Sequence, residues 1–171
     1  MKNLIIYYFR RGQNYVNGSI KHLEKGNAEL IAEYIRDAVG ADVFEVDTLK
    51  PYDTDYNVCI EEAKAELRAK ARPELKKYLD SVEDYDNIFV VGPNWWGIYP
   101  MALYTQLEKL DFSGKTIHYA VTHEGSGLGG VPKAIKDACR GAKIGDSLAV
   151  QGGKTPSSEA QIKNWAEKAV K

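Results

Sequence analysis

Cysteine is nearly absent from these 171 residues: Cys59 and Cys139 stand far apart, in no CxxC pair and beside no ligand-like neighbour. That spacing argues against a disulfide framework or a zinc ribbon and leaves two buried thiols as the expectation. Long apolar runs are missing too, with nothing near the roughly 20 residues that cross a bilayer as a helix. The opening run Leu4-Ile5-Ile6 is too short for a signal peptide and has no cleavage-like small residues after it, which points to a cytoplasmic protein. Neither sign of charge dominates, since 23 Lys and Arg oppose 24 Asp and Glu for a net charge of −1. A nucleic-acid binder with a basic footprint is disfavoured, as is an acidic carrier steered to basic partners. The histidines are few. His22 reads as a solvated loop residue and His118 as a strand residue, while His123 has no second His or carboxylate at ligand spacing, so no metal site is expected. A GxSxG nucleophile elbow, an internal repeat and a linker are likewise lacking.

What is present is an ordinary globular composition, 44% hydrophobic and 27% charged, long enough for one domain over 1–171 with a real core. Apolar runs alternate with helical patterns, the signature of β-α-β units. Leu4–Phe9 is a continuous apolar strand and Asn87–Val91, after its first residue, is another, as expected for strands buried on both faces. Asp42–Val46 is shorter and mixed, like an edge strand; Lys115–Val121 and Ser147–Val150 complete five. Between them, helices are predicted from an Asn27 N-cap to Gly40, over about 56–71, over Pro100–Lys109 and over Val131–Arg140. A last helix follows Ser158, which with Gln161 forms a capping-box pattern. The fold class is therefore α/β: a three-layer doubly wound sandwich around a five-stranded parallel sheet of order 2-1-3-4-5. Its switch point lies between the first and third strands, where ligands bind beyond the carboxyl ends.

Three unusual loops, 10–27, 92–100 and 122–130, converge on that point. The first carries Arg10, Arg11, Gly12 and Asn14, then Asn27 and Ala28 at a helix N-terminus whose free amides favour an anion. The second, "GPNWWGIYP", concentrates Pro93, Asn94, Trp95, Trp96, Gly97 and Tyr99, offering stacking faces and a glycine that permits close backbone approach. The third, "THEGSGLGG", strips side chains from amides around Thr122, His123, Glu124, Gly125, Ser126 and Gly127. Each loop has a plainer reading: a long connection before a capped helix, tryptophans covering the end of the core, and a flexible glycine segment.

Taken together, "DYDNIFVVGPNWWGIYP", "DFSGKTI" and "THEGSGLG", with "GADVFEV" and "RPEL" ahead of the third strand, resemble the flavodoxin-like fold and the short-chain bacterial flavodoxin family over nearly the whole chain. The resemblance implies a non-covalently bound FMN, its phosphate held by the first loop and its isoalloxazine bracketed by 93–97 and 122–127. Trp95, Trp96 or Tyr99 would supply stacking faces. The Trp96–Gly97 peptide would turn its carbonyl toward the flavin N5–H, and amides of Glu124 and Gly125 would face the pyrimidine edge. Also implied is electron transfer or a small FMN-dependent oxidoreductase, such as an NAD(P)H-dependent quinone or flavin reductase. Its partner would be a redox protein or a small acceptor such as a quinone, and a homodimer stays open. The chain departs from the family pattern in the first loop, where Arg10 stands for a serine and Ala28 for a threonine. The forked guanidinium would replace the lost hydroxyls on phosphate; a flavin-free binding or regulatory module is the alternative.

Overall fold

The computed structural model describes residues 1–171. The chain runs β1 (Asn3–Tyr7), β2 (Gly12–Val16), β3 (Ser19–Leu23), α1 (Asn27–Val39), β4 (Asp42–Glu45) and α2 (Tyr56–Ala69). Then come β5 (Asn87–Pro93), α3 (Met101–Leu107), β6 (Thr116–His123), α4 (Val131–Ala138) and β7 (Lys143–Gln151), with a 3-10 turn (Gly152–Ser157) before α5 (Glu159–Ala169).

The strands alternate their side chains between two apolar layers. Leu4, Ile6, Ile88 and Val90 enter one core with Leu103, Leu107, Val131 and Ile135, while Ile5, Phe89 and Val91 enter a second with Ile31, Ile35, Ile162 and Ala166. Period-2 alternation with both faces apolar is what a central parallel strand requires. The five-stranded sheet has the order β4-β1-β5-β6-β7 and every pair is parallel. This is the expected 2-1-3-4-5 sandwich, with the mixed strand Asp42–Glu45 at one edge. Helix α1 lays Ala28, Ile31, Ala32 and Ile35 along its buried stripe and stops at Gly40, which takes the left-handed conformation and donates to Arg36 O at 2.9 Å. Cys59 and Cys139 are buried free thiols. No helix is long and apolar enough to cross a membrane.

Local differences from the sequence reading have simple causes. The stretch 10–27 is no plain loop: β2 and β3 form an antiparallel hairpin whose turn, Asn17-Gly18, has φ of 53° and 86°. Asn-Gly with both residues left-handed is the favoured two-residue hairpin turn. Asn27 is the first helical residue, and Gly26 caps. Ser158 makes no capping bond, because its hydroxyl donates to Lys154 O at 2.7 Å inside the unforeseen 3-10 turn. β7 is longer than predicted at both ends and bulges beside His118, a buried strand residue whose Nδ1 accepts the Asp146 N–H.

Gly92, within β5, leaves no room for a side chain. A Cβ there would stand 2.8 Å from Leu103 Cδ1 and 3.0 Å from Tyr99 Cδ1. Gly92→Ala should therefore cost about 1–3 kcal/mol by overpacking. The measurement is the urea midpoint at unchanged slope; an unmoved midpoint contradicts this packing.

Candidate functional site

The connection after β1 leads toward β4 and that after β5 toward β6, so they part above the β1–β5 pair and open a crevice at the carboxyl ends. A cleft of about 520 Å³ lies there. Arg10, Asn14, Asn27 and Ala28 line it from the first connection, Pro93, Asn94, Trp95, Trp96 and Gly97 from the second, and Thr122, His123, Glu124, Gly125 and Ser126 from the third. Arg11, Gly12, Tyr99 and Gly127 lie outside the lining, while Tyr15, Tyr56 and Gly152 join it unforeseen.

Tyr99 is the clearest correction. It is fully buried, with its hydroxyl 2.7 Å from Ala120 O and 3.1 Å from Val90 O. It therefore braces β5 against β6 and offers no stacking face. The arginines are the second correction. Arg11 turns away and forks onto Glu29, whose Oε1 also accepts the Gly26 N–H at 3.0 Å. Arg10 stays on the wall, but its Nε donates to Gln13 O at 2.9 Å and its Nη2 to Asp53 O and Thr54 O at 2.9 and 3.0 Å. Lys25 holds both Glu33 oxygens at 2.8 and 2.9 Å. The cation expected for phosphate is thus mainly a staple fastening the first connection to the residues before α2.

The hairpin brings in the two missed tyrosines. Gln13 Oε1 accepts the Tyr56 N–H at 2.7 Å, and Tyr15 stacks on Tyr56 with ring centres 6.1 Å apart. At the hairpin tip, Asn17 N–H donates to Glu124 Oε2 at 3.2 Å.

In the second connection the adjacent tryptophans divide their roles. Trp95 packs edge-on against Tyr8 and Tyr52, with ring centres 5.3 and 5.2 Å away. Trp96 is 47% exposed; its indole N–H donates to Ile60 O at 2.9 Å and Lys64 lies over its ring. Trp96 and Gly97 have φ of 59° and 88°, a left-handed pair that closes a tight turn through Trp95 N–H to Ile98 O at 2.7 Å. Holding a tryptophan at positive φ is strained, and such strain persists only where the surroundings impose it. Asn94 imposes it: Oδ1 accepts the Gly97 N–H at 2.8 Å while Nδ2 donates to Gly127 O at 3.1 Å. Gly97 O in turn accepts from Gly130 N–H at 2.7 Å.

The third connection is equally constrained. His123 Nδ1 accepts the Gly125 N–H at 2.9 Å, so that amide does not face the cleft as expected, and the imidazole proton sits on Nε2. Gly152, after β7, is required by crowding: a Cβ would stand 2.4 Å from Glu124 Oε1 and 2.7 Å from Asn27 Nδ2. Beside them the Asn27 and Ala28 N–H groups, at the start of α1, have no acceptor within the protein. One end of the cleft is therefore amide-rich, the other aromatic. Under Trp96 an apolar recess of about 210 Å³ continues from the aromatic end and adds Cys59, Ile60 and Ala63. Burial pushes the Cys59 thiol up to about 11, so it stays protonated and unreactive.

Comparison with known proteins gives a consistent picture. Residues 22–169 match the family model described as Flavodoxin. A structure described as a flavoprotein from Bacteroides eggerthii superimposes with a TM-score of 0.77 at 22% identity, covering 99% of this chain and 98% of that one. Another so described, from Bacteroides uniformis, gives 0.73 at 25% identity over 96% of each chain. A flavoprotein of Lactobacillus acidophilus, solved in complex with FMN, gives 0.64 at 17% identity over 94% of this chain and 97% of that one. No curated protein matches the chain.

Asn94→Ala removes partners from both Gly97 N–H and Gly127 C=O. It should cost about 1–2 kcal/mol and speed amide exchange at Gly97 while leaving α5 unchanged. Unaltered exchange at Gly97 would show that the turn is held by something else.

Proposed function

This chain belongs to the flavodoxin family, and on that footing we propose that the cleft binds FMN and that the bound flavin passes electrons to a small acceptor. The observation that carries this reading is the cleft's asymmetry. One end has two unpaired amides at the start of α1, and the other has Trp96, Tyr15 and Tyr56. A flavin nucleotide has the same asymmetry, with a phosphate at one end and a planar ring at the other. Helix amides and the macrodipole favour the phosphate, and aromatic faces favour the ring. The Lactobacillus acidophilus protein, of the same fold, holds FMN.

Bound FMN supplies one- and two-electron chemistry. The chain's own residues do the rest. Asn27 and Ala28 would present N–H groups to the phosphate, and Trp96 would offer aromatic surface to the ring. The Trp96–Gly97 peptide has its N–H drawn to Asn94 Oδ1, while its carbonyl has no hydrogen-bond partner within the protein. That carbonyl is the acceptor available to a protonated ring nitrogen, and Asn94 holds it oriented. No side chain is assigned as a catalytic acid or base.

An NAD(P)H-dependent quinone or flavin reductase, acting in the cytoplasm, fits better than a shuttle between proteins. The chain has almost no net charge to steer a protein partner, and the mainly apolar recess under Trp96 extends the cleft as a seat for a small acceptor. The lost hydroxyl at Ala28 and the engaged arginines favour, as second reading, a flavin-free module. Anaerobic mixing of the FMN-loaded protein with NADH or NADPH separates these. The reductase reading predicts rapid bleaching of the oxidised flavin band without a helper protein. No bleaching leaves a carrier that needs a partner, and failure to bind FMN at all leaves only the module.

A further inference from the structure

Arg10 and Glu124 are the only Lys, Arg, Asp or Glu side chains in the cleft wall, and they are not equivalent. Arg10 has turned Nε and Nη2 onto three backbone carbonyls. Glu124 has no cationic partner. Its Oε2 takes one N–H, from Asn17 at the hairpin tip, and its Oε1 crowds the space above Gly152 that Asn27 Nδ2 also borders. A carboxylate thus stands at the amide-rich end, while Arg11 and Lys25 of the first connection are paired with Glu29 and Glu33 and do not line the cleft.

From this placement we infer that Glu124 is a specificity-determining residue that discriminates against the phosphate of its flavin ligand, so that riboflavin competes with FMN on nearly equal terms. The inference rests on the flavin reading of the cleft. An uncharged ribityl hydroxyl can donate to the carboxylate and stay beside it. A phosphate monoester carries between one and two negative charges near neutral pH, and its dianion only accepts hydrogen bonds. A phosphate at the start of α1 would share the space above Gly152 with Glu124 Oε1 and Asn27 Nδ2, and relieving the repulsion by turning Glu124 outward would cost the Asn17 contact. Neutral-site selectivity would otherwise favour the phosphate through those same amides.

The test measures dissociation constants for FMN and for riboflavin by quenching of flavin fluorescence, on the full-length wild type and on Glu124→Gln and Glu124→Lys. The wild type should bind the two within roughly threefold of each other. Removing the charge should raise the affinity ratio of FMN over riboflavin by roughly tenfold, the scale of a charge–dianion contact at about 5 Å in water. Glu124→Lys should raise it further. Riboflavin binding reports an intact pocket in each variant. An unchanged ratio in both variants overturns the inference while leaving the flavin site standing, and so does equal loss of both ligands, which would make Glu124 a prop for the loop. Failure of the wild type to bind either flavin overturns the reading of the cleft itself.

Discussion

Right-handed crossovers cover a parallel sheet on both faces and leave an opening only where neighbouring strands send their chains to opposite sides. Here β1 and β5 are those neighbours, and everything distinctive about the molecule follows from their adjacency. They are the two strands apolar on both faces, so they must be central. Once they are, the connections that follow them face each other across the crevice. The third connection, after β6, closes the far side. Packing of the core thus dictates where the site must be, without any contribution from the residues that furnish it.

Those residues are then fixed by hydrogen bonds that run between connections as well as within them. Asn94 links the second to the third, Glu124 links the third to the hairpin tip, and Gln13 and Arg10 link the hairpin to the chain before α2. A strained tryptophan turn survives because Asn94 and Gly130 hold the two sides of Gly97. This cross-linking gives a preformed cleft. It also engages Arg10 with backbone carbonyls and pairs Arg11 with Glu29, so binding at the amide-rich end relies chiefly on helix amides against a neighbouring carboxylate.

Much of this was legible in the sequence because it depends on local pattern. The alternation of Leu4, Ile5 and Ile6, and of Ile88, Phe89 and Val90, identified the central strands and hence the strand order and the switch point. Fourteen expected site residues line the cleft for that reason. The failures share a different cause: side-chain direction and distant partners leave no local trace. Tyr99 sits among loop aromatics, yet it is drawn under the sheet's end, into the space beside Gly92. The partners of Arg10 are carbonyls at Asp53 and Thr54, far along the chain. Tyr56 and Gly152 belong to none of the three loops. The hairpin alone carried a readable signal, Asn17-Gly18, but its strands are polar because only Val16 is buried, and so it passed for a loop.

The central claim is that flavin enters above β1 and β5, and the protein has a rival opening: a cavity of about 740 Å³ lined by Thr48, Lys50, Tyr52, Glu62, Glu66 and Glu74. Two-dimensional amide spectra recorded during flavin titration distinguish the two directly. The account predicts large shifts at Asn27, Ala28 and Gly97 and at the Trp96 indole, with Trp165, a half-buried residue of α5 packed on Phe89, unmoved as the internal reference. Shifts confined to residues 48–52 and 62–74 would contradict it.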